Sequence, residues 1–267
     1  MKTLMLACLT AASFAALLPA SAKVQPAISA TAPNAAGQPG TVRLGLITRT
    51  TALIGTTVRD RGDRSLGRME DIYLDLPTGQ AVAALVSFGT DDHLMLVPAR
   101  SFWTATRNMI MFMDDKKTLK RAPCFARADM AWGLEPDRLS RSFDYFMQEL
   151  PEATTANPGR LFSAARLVRR QLVSENGGLL GQIADVALDL PVGQAVYLLV
   201  EPAADAGASG VLYAVPLKAF SRGPDGRPLV LNTDRAHFLA GPHFQKEFGS
   251  ELCRPEFGAA VQRHYNH

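Results

Sequence analysis

The chain has 267 residues, of which 47% are hydrophobic and 20% charged, and its formal net charge is +3. Its 28 basic and 25 acidic residues nearly balance. In the arginine cluster of residues 59–68, Arg is interleaved with Asp, so no long one-signed stripe is present to follow a phosphate backbone. We therefore expect no nucleic acid among the partners.

The first residues have the layout of an export signal. Lys2 precedes an apolar run from Leu4 to Leu18, and small residues follow. This order is typical of a secretory signal peptide, and the run is shorter than the roughly 20 residues that span a membrane. We predict a signal peptide over residues 1–22, a periplasmic or secreted location, and no transmembrane segment once the leader is removed. A lipoprotein processed at Cys8 is the alternative, although little leader would precede that cysteine.

The most informative feature is an internal repeat. Residues Gly67–Val82 read GRMEDIYLDLPTGQAV, and residues Gly181–Val196 read GQIADVALDLPVGQAV, without a gap. Self-similarity over a whole supersecondary unit indicates a duplicated domain. We predict the following organisation: a flexible tether rich in Ala, Pro, Gly and Ser over residues 23–43, a first domain over 44–150, a linker over 151–160 and a second domain over 161–267.

Each copy is predicted to be mainly β. Apolar residues alternate with polar or small ones from Ile72 to Leu76 and from Val186 to Leu190, and this period of two is the strand signature. The repeat then continues into a hairpin turn with these residues: Asp75, Pro77, Gly79, Asp189, Pro191 and Gly193. We interpret the two aspartates as acceptors for turn amides, since no second carboxylate, His or Cys recurs beside them in both copies.

Further strands are predicted on each side of the repeat. The segments after the turn are apolar on both faces, which suits a sheet rolled into a small closed barrel. The predicted strands are 81–88, 94–97 and 109–113 in the first copy and 195–200, 212–215 and 229–233 in the second. Leu139, Phe143, Phe146, Met147 and Leu150 recur at spacings of three and four, which predicts an amphipathic tail helix.

No catalytic or metal-binding motif is present. The sequence contains no nucleophile elbow, Cys-x-x-Cys, His-Glu-x-x-His or phosphate-binding loop. The histidines are His93, His237, His243, His264 and His267, and they fall on separate predicted elements or at the chain end. Because a metal ion needs three or four converging donors, we interpret these histidines as surface residues. We predict a protein that is not an enzyme and that uses no cofactor and no metal.

Two cysteines remain after the leader, Cys124 and Cys253. An even number in an oxidising compartment is compatible with a disulfide that ties the tail of one copy to the tail of the other. Two separate buried thiols are the alternative, and the residues alone do not choose between them.

Arg100, Phe102 and Trp103 form the candidate binding cluster. The second copy has Ser221 where the first has Trp103. An exposed tryptophan would anchor a recognition surface, and the arginine could stack on it. A buried tryptophan would instead fill the space between barrel and tail helix.

The combination of repeated elements resembles the PRC-barrel domain family. The resemblance is carried by Leu66–Val86 with Met95–Phe102, and by Leu180–Val200 with Tyr213–Phe220. It implies two tandem small antiparallel β-barrels, each with a short helical tail, of a kind used for binding and assembly and without catalytic residues to carry over. Extended tails with a Pro-x-Phe and a terminal Tyr are similar to those of exported bacterial members.

The sequence therefore predicts a general class of protein and no specific partner. We expect an exported, non-enzymatic binding or scaffold protein of the bacterial envelope, whose partner is a protein, a glycan or a membrane surface. The alternative is a barrel that binds a small ligand or a metal, either inside one copy or between the two.

Overall fold

The computed structural model describes residues 46–88, 92–106, 109–113, 116–132, 134–152, 154, 161–207, 209–221 and 229–266. The predicted leader 1–22, the tether 23–43 and most of the linker 151–160 lie outside these residues. All described residues belong to one compact unit, Val42–His267.

The first half contains eight strands and three α-helices among its described residues. The strands are β1 (Thr48–Arg49), β2 (Thr57–Arg59), β3 (Ser65–Asp75), β4 (Gln80–Phe88), β5 (His93–Pro98), β6 (Phe102–Thr106), β7 (Met109–Phe112) and β8 (Phe125–Ala126). The helices are α1 (Thr50–Leu53), α2 (Lys116–Arg121) and α3 (Pro136–Tyr145), with 3-10 turns at Ala99–Ser101 and Arg127–Trp132.

The second half repeats this order. Its strands are β9 (Leu161–Ser163), β10 (Gln171–Ser174), β11 (Leu179–Asp189), β12 (Gln194–Pro202), β13 (Val211–Pro216), β14 (Phe220–Ser221), β15 (Leu229–Leu231) and β16 (His243–Gln245). Its helices are α4 (Ala164–Leu167), α5 (Arg235–Leu239) and α6 (Pro255–Tyr265), and 3-10 turns lie at Ala204–Ala206, Leu217–Ala219 and Gly249–Cys253.

All sixteen strands join one curled sheet, whose main path runs β14-β15-β10-β11-β12-β4-β3-β2-β7-β6. Neighbouring strands are antiparallel except for the parallel pairs β2–β7 and β10–β15. The predicted mainly β architecture is therefore confirmed.

The repeated hairpin turn has the predicted chemistry. The Gly79 amide donates to the Leu76 carbonyl at 3.2 Å, and the Gly193 amide donates to the Leu190 carbonyl at 2.9 Å. Gly79 has φ +69° and Gly193 has φ +67°, a left-handed conformation that glycine adopts without steric cost. The two turns thus require glycine at the same place.

The two turns also join the halves. The Ala81 amide donates to the Gly193 carbonyl at 3.0 Å, and the Ala195 amide donates to the Gly79 carbonyl at 2.9 Å. These reciprocal bonds place β4 beside β12, antiparallel, with Gln80 opposite Gln194. The sheet is therefore continuous across the repeat boundary.

Each half also gives its opening segment to the other half. Strand β1 pairs with β11, and β9 pairs with β3. The Asp185 carboxylate accepts hydrogen bonds from the Thr50 hydroxyl at 2.8 Å and the Thr51 amide at 3.1 Å. The Asp71 carboxylate at the equivalent position accepts from the Ala165 amide at 3.1 Å and from the Ser163 hydroxyl. The aspartates thus satisfy amides at the starts of α1 and α4.

The core explains why β4 and β12 are apolar on both faces. One face contributes to a large cluster that spans both halves, with Leu74, Val86, Leu188 and Val200 among its members. The other face of each half's sheet lies under a tail helix. Tyr73, Leu85 and Leu96 form a cluster with Phe143 of α3. Tyr197, Leu199 and Leu212 form another with Val261 of α6. Helix cover on the outer face, as well as sheet curvature, therefore accounts for the apolar pattern.

Candidate binding face

Strands β6 and β7 form a hairpin that separates the members of the candidate cluster. Phe102 lies opposite Phe112 on the inner face, with ring centroids 5.8 Å apart. Because successive strand residues point to opposite faces, Trp103 points outward, and 53% of its surface is exposed. Of the two alternatives for Trp103, the structure therefore has the exposed one, while Phe102 is a core residue.

Arg100 contacts the second half. Its Nε donates to the Val192 carbonyl at 3.2 Å. A Cβ placed on Gly193 would lie only 2.9 Å from the Arg100 Cγ. The side chain thus covers the hairpin turn of the other half, and this contact favours a role for Arg100 in joining the halves.

Two methionines extend the exposed apolar surface near Trp103. Met113 follows Phe112, is exposed, and donates its amide to the Ser101 carbonyl at 2.9 Å. Met147 is 93% exposed. Its neighbour Gln148 donates from Nε2 to the Ser101 hydroxyl at 2.8 Å. We call Trp103, Met113 and Met147 together the apolar face.

The tail helix ends earlier than its sequence pattern predicts. Helix α3 stops at Tyr145, and Phe146 packs its ring 6.1 Å from that of Phe112. Met147 then adopts φ +51°. The prediction that Met147 belongs to the apolar stripe of this helix was therefore wrong, because the chain turns away from the helix before this residue.

Helix α2 adds positive charge beside the apolar face. The Tyr145 hydroxyl donates to the Thr118 carbonyl at 2.8 Å, which joins α2 to the end of α3. The basic residues of α2 are Lys116, Lys117, Lys120 and Arg121. None of these four has a carboxylate within ion-pair distance in the part of the chain that the structure describes.

Among its described residues, the second half has polar side chains at the positions equivalent to Trp103 and Met113. Ser221 occupies the position of Trp103, and Asn232 occupies that of Met113, with its amide donating to the Ala219 carbonyl at 3.1 Å. The Ser221 hydroxyl is hydrogen bonded to the Asn232 side chain at 2.9 Å. Arg235 of α5 forms an ion pair with Asp205 at 2.7 Å. The apolar face and its cations thus distinguish the first half from the second.

The repeated aspartates of the turn lie inside the molecule. Asp75 and Asp189 are fully buried. Asp75 lies opposite Gln80, and Asp189 lies opposite Gln194. Since the two glutamines are also paired, a row of four polar residues crosses the sheet at the junction of the halves. Pro77 and Pro191 are exposed at the turn tips.

The cysteines are separate thiols in the structure. Cys124 is exposed and precedes β8. Cys253 is half-buried, with its sulfur 3.9 Å from the Ile47 carbonyl oxygen. Cys253 packs against the core under α6 and Cys124 adjoins a strand of the first half, so each thiol has its own surroundings.

Histidines His237 and His264 stack with ring centroids 4.0 Å apart and join α5 to α6. This pairing was not predicted. Within the described ranges, no three His, Cys, Asp or Glu side chains are placed to hold a metal ion. No helix in the same ranges is long and apolar enough to cross a membrane.

One open groove of about 570 Å³ lies on the second half. Its lining combines the polar side chains of Gln171, Gln182 and Glu201 with apolar and small residues such as Leu179 and Pro202. The Glu201 carboxylate accepts a hydrogen bond from the Lys246 ammonium, which lowers the pKa of Glu201.

Comparison with known proteins identifies the first half. Residues 49–119 match the PRC-barrel domain, and no curated protein matches the chain. The chain thus contains a PRC-barrel domain that extends from the end of β1 to α2. Trp103 and Met113 lie within this domain, whereas Met147 lies in the tail that follows it.

Proposed function

We propose that this chain is an exported, non-enzymatic binding protein of the bacterial envelope, built from two tandem PRC-barrel copies. The apolar face of the first copy holds a partner, which is a protein, a glycan or a membrane surface. The second copy stabilises the first and, in the part that the structure describes, has polar side chains where the first copy has Trp103 and Met113.

Three observations support a second PRC-barrel copy. The halves share their order of strands, and both use a Leu-Pro-x-Gly turn with glycine in the left-handed conformation. The glycine that opens each repeat also has the same role. A Cβ on Gly67 would lie 1.9 Å from the Ser87 carbonyl oxygen, and one on Gly181 would lie 2.1 Å from that of Glu201.

The exposure of Trp103 is the observation that carries the proposed binding role. Tryptophan is enriched among the residues that dominate binding energy. Here it stands on a strand paired with β7 above the buried Phe102–Phe112 contact, so its backbone is fixed before a partner arrives. Binding to such a residue costs little ordering entropy.

A pull-down from envelope extract tests the proposal. We expect the wild-type chain to retain a specific component and Trp103→Ser, which installs the residue of the second half, to lose it. A truncated hot-spot tryptophan weakens binding by about 2 kcal/mol or more, or about 30-fold. Phe248→Ser is the matched control, because Phe248 is an aromatic residue of the second half that is 60% exposed.

Retention that is equal in wild type and Trp103→Ser would contradict the proposed role of the apolar face. The absence of any specific component from the wild-type eluate would contradict the binding function itself. Folding of the three proteins is compared by circular dichroism, and both substituted positions are on the surface.

A small-ligand protein is the second candidate, and the groove on the second half favours it. Its volume lies within the range of about 300–1,000 Å³ that is typical of ligand sites. The side chains of Gln171, Gln182 and Glu201 in its mixed lining could hydrogen bond to a hydroxyl-rich ligand such as a saccharide. A thermal-shift screen with envelope saccharides tests this candidate, with Gln182→Leu expected to abolish any stabilisation.

A further inference from the structure

Positive charge concentrates in one segment of the chain. Residues 107–121 contain five Lys or Arg and two Asp, a net charge of +3 that equals the formal net charge of all 267 residues. The remainder of the chain is therefore neutral overall. The Arg-rich loop before β3 illustrates the difference, because there Arg59 pairs with Asp63 at 3.3 Å and Arg64 pairs with Asp60 at 2.8 Å.

The fold places the basic residues of α2 near the segment that carries Met147. Met113 directly precedes the segment that leads into α2, and the bond from Tyr145 to Thr118 holds α2 next to the chain that carries Met147. Three exposed apolar side chains thus lie on segments that adjoin α2, whose four basic residues have no carboxylate within ion-pair distance among the described residues. In the second half, Ser221 and Asn232 are polar and Arg235 is ion-paired.

We infer that this surface docks onto an anionic lipid bilayer. The inference rests on the proposed function, and it identifies the bilayer as the partner that the apolar face binds. Trp103, Met113 and Met147 would enter the boundary between headgroups and acyl chains, where tryptophan is enriched. The α2 cations would lie among the phosphates, since long Lys and Arg side chains keep their charge at the headgroup level.

The positive charge of α2 is complementary to the negative charge of an anionic bilayer, and this favours a bilayer as the partner. Clustered cations beside apolar side chains are what a negatively charged membrane surface attracts, and each cation near such a surface strengthens binding severalfold. The apolar side chains project from a hairpin and a helix end. A projecting surface of this kind enters a fluid interface without a preformed complementary shape.

Vesicle co-sedimentation of the full chain tests the inference. The probes are vesicles of phosphatidylcholine alone and of phosphatidylcholine mixed with phosphatidylglycerol. We expect binding to the anionic vesicles, weaker binding at higher salt, and little binding to neutral ones. Trp103→Ser and the double variant Lys117→Gln/Lys120→Gln are each expected to lower the partition coefficient about tenfold.

Matched controls are Phe248→Ser for the tryptophan and Lys218→Gln/Arg263→Gln for the charges, all at exposed positions of the second half. Both controls are expected to bind like wild type. Binding that is equal in all variants would come from elsewhere, the N-terminal leader included, and would overturn the inference. The absence of binding to anionic vesicles would overturn it as well.

The pull-down separates failure of this inference from failure of the proposed function. If vesicles are not bound but a protein or glycan is retained by wild type and lost by Trp103→Ser, the bilayer inference is wrong and the binding function stands. If neither vesicles nor any envelope component is bound, both are wrong.

Discussion

Asp71 shows how a single side chain holds the two halves together. Its Oδ1 accepts hydrogen bonds from the amides of Ile72 at 2.8 Å and of Ala165 at 3.1 Å. Burial raises the pKa of Asp71, although the bonds from Ser163 and from the two amides partly oppose this effect. The protonated carboxyl is therefore favoured more in the folded chain than in the unfolded chain.

Asp71→Asn tests this assignment. A raised folded pKa means that the contribution of Asp71 to stability is greatest below its unfolded pKa and declines as pH rises through its folded pKa. The asparagine variant lacks this titration. We expect the free energy of unfolding of wild type relative to the variant to be largest near pH 4 and to fall towards pH 7, as measured by urea denaturation. A difference that is constant or rises with pH would contradict the assignment.

At the residue scale, the sequence predicts which residues form the turns better than it predicts which side chains are exposed. The repeat identifies Gly79 and Gly193 as turn residues because only a left-handed conformation requires glycine there. It does not show whether Trp103 is exposed, since both alternatives suit a tryptophan near a barrel. The contrast between Trp103 and Ser221 was nevertheless visible in the sequence, and the structure places Trp103 at the surface.

At the element scale, the predicted strands and the hairpin follow from period-two alternation and turn chemistry, and the structure agrees with them. The exchange of β1 and β9 between the halves was missed. Both strands are only two or three residues long. Their pairing depends on Asp71 and Asp185, each of which caps a helix of the other half. Because each aspartate is distant in sequence from the helix that it caps, no short motif reveals the contact.

The end of α3 was missed for a different reason. The Gln148 amide donates to the Phe143 carbonyl at 3.0 Å, and the Met147 amide donates to that of Asp144 at 3.1 Å. These bonds close the helix as a Schellman motif, with Met147 at the left-handed position where glycine is usual. Because a methionine occupies this position, the sequence lacks the glycine that usually indicates the end of a helix.

Met147→Gly is therefore expected to change stability and binding in opposite directions. Removing the side chain relieves a left-handed conformation that costs a non-glycine residue about 1 kcal/mol, so the free energy of unfolding should rise. It also removes an exposed member of the apolar face, so partner retention should fall. Urea denaturation and the pull-down measure the two effects. A variant that is less stable, or that binds as well as wild type, would contradict this interpretation of Met147.

At the scale of the whole molecule, the shared sheet and the exchanged strands predict cooperative unfolding of the two halves. Trp103 and Trp132 both lie in the first half, so tryptophan fluorescence reports its unfolding. Gly181→Ala places a Cβ 2.1 Å from the Glu201 carbonyl oxygen in the second half, and overpacking of this kind costs about 1–3 kcal/mol.

Gly181→Ala should accordingly lower the urea midpoint of the tryptophan signal, although the change lies far from both tryptophans in sequence. Gly62→Ala is the control, because its Cβ would meet only the ends of side chains, Asp60 Oδ1 at 3.3 Å and Arg64 Nε at 3.6 Å. A tryptophan transition that Gly181→Ala leaves unchanged would show that the halves unfold independently.

Site-specific photocrosslinking in intact cells tests the binding role of the apolar face most directly. A photoreactive phenylalanine analogue is placed at position 103 and, in a second variant, at position 248, which is similarly exposed on the other half. We predict a defined adduct with an envelope component from position 103 and none from position 248. Equal adducts from both positions, or no adduct from position 103, would contradict the assignment of this face as the binding surface.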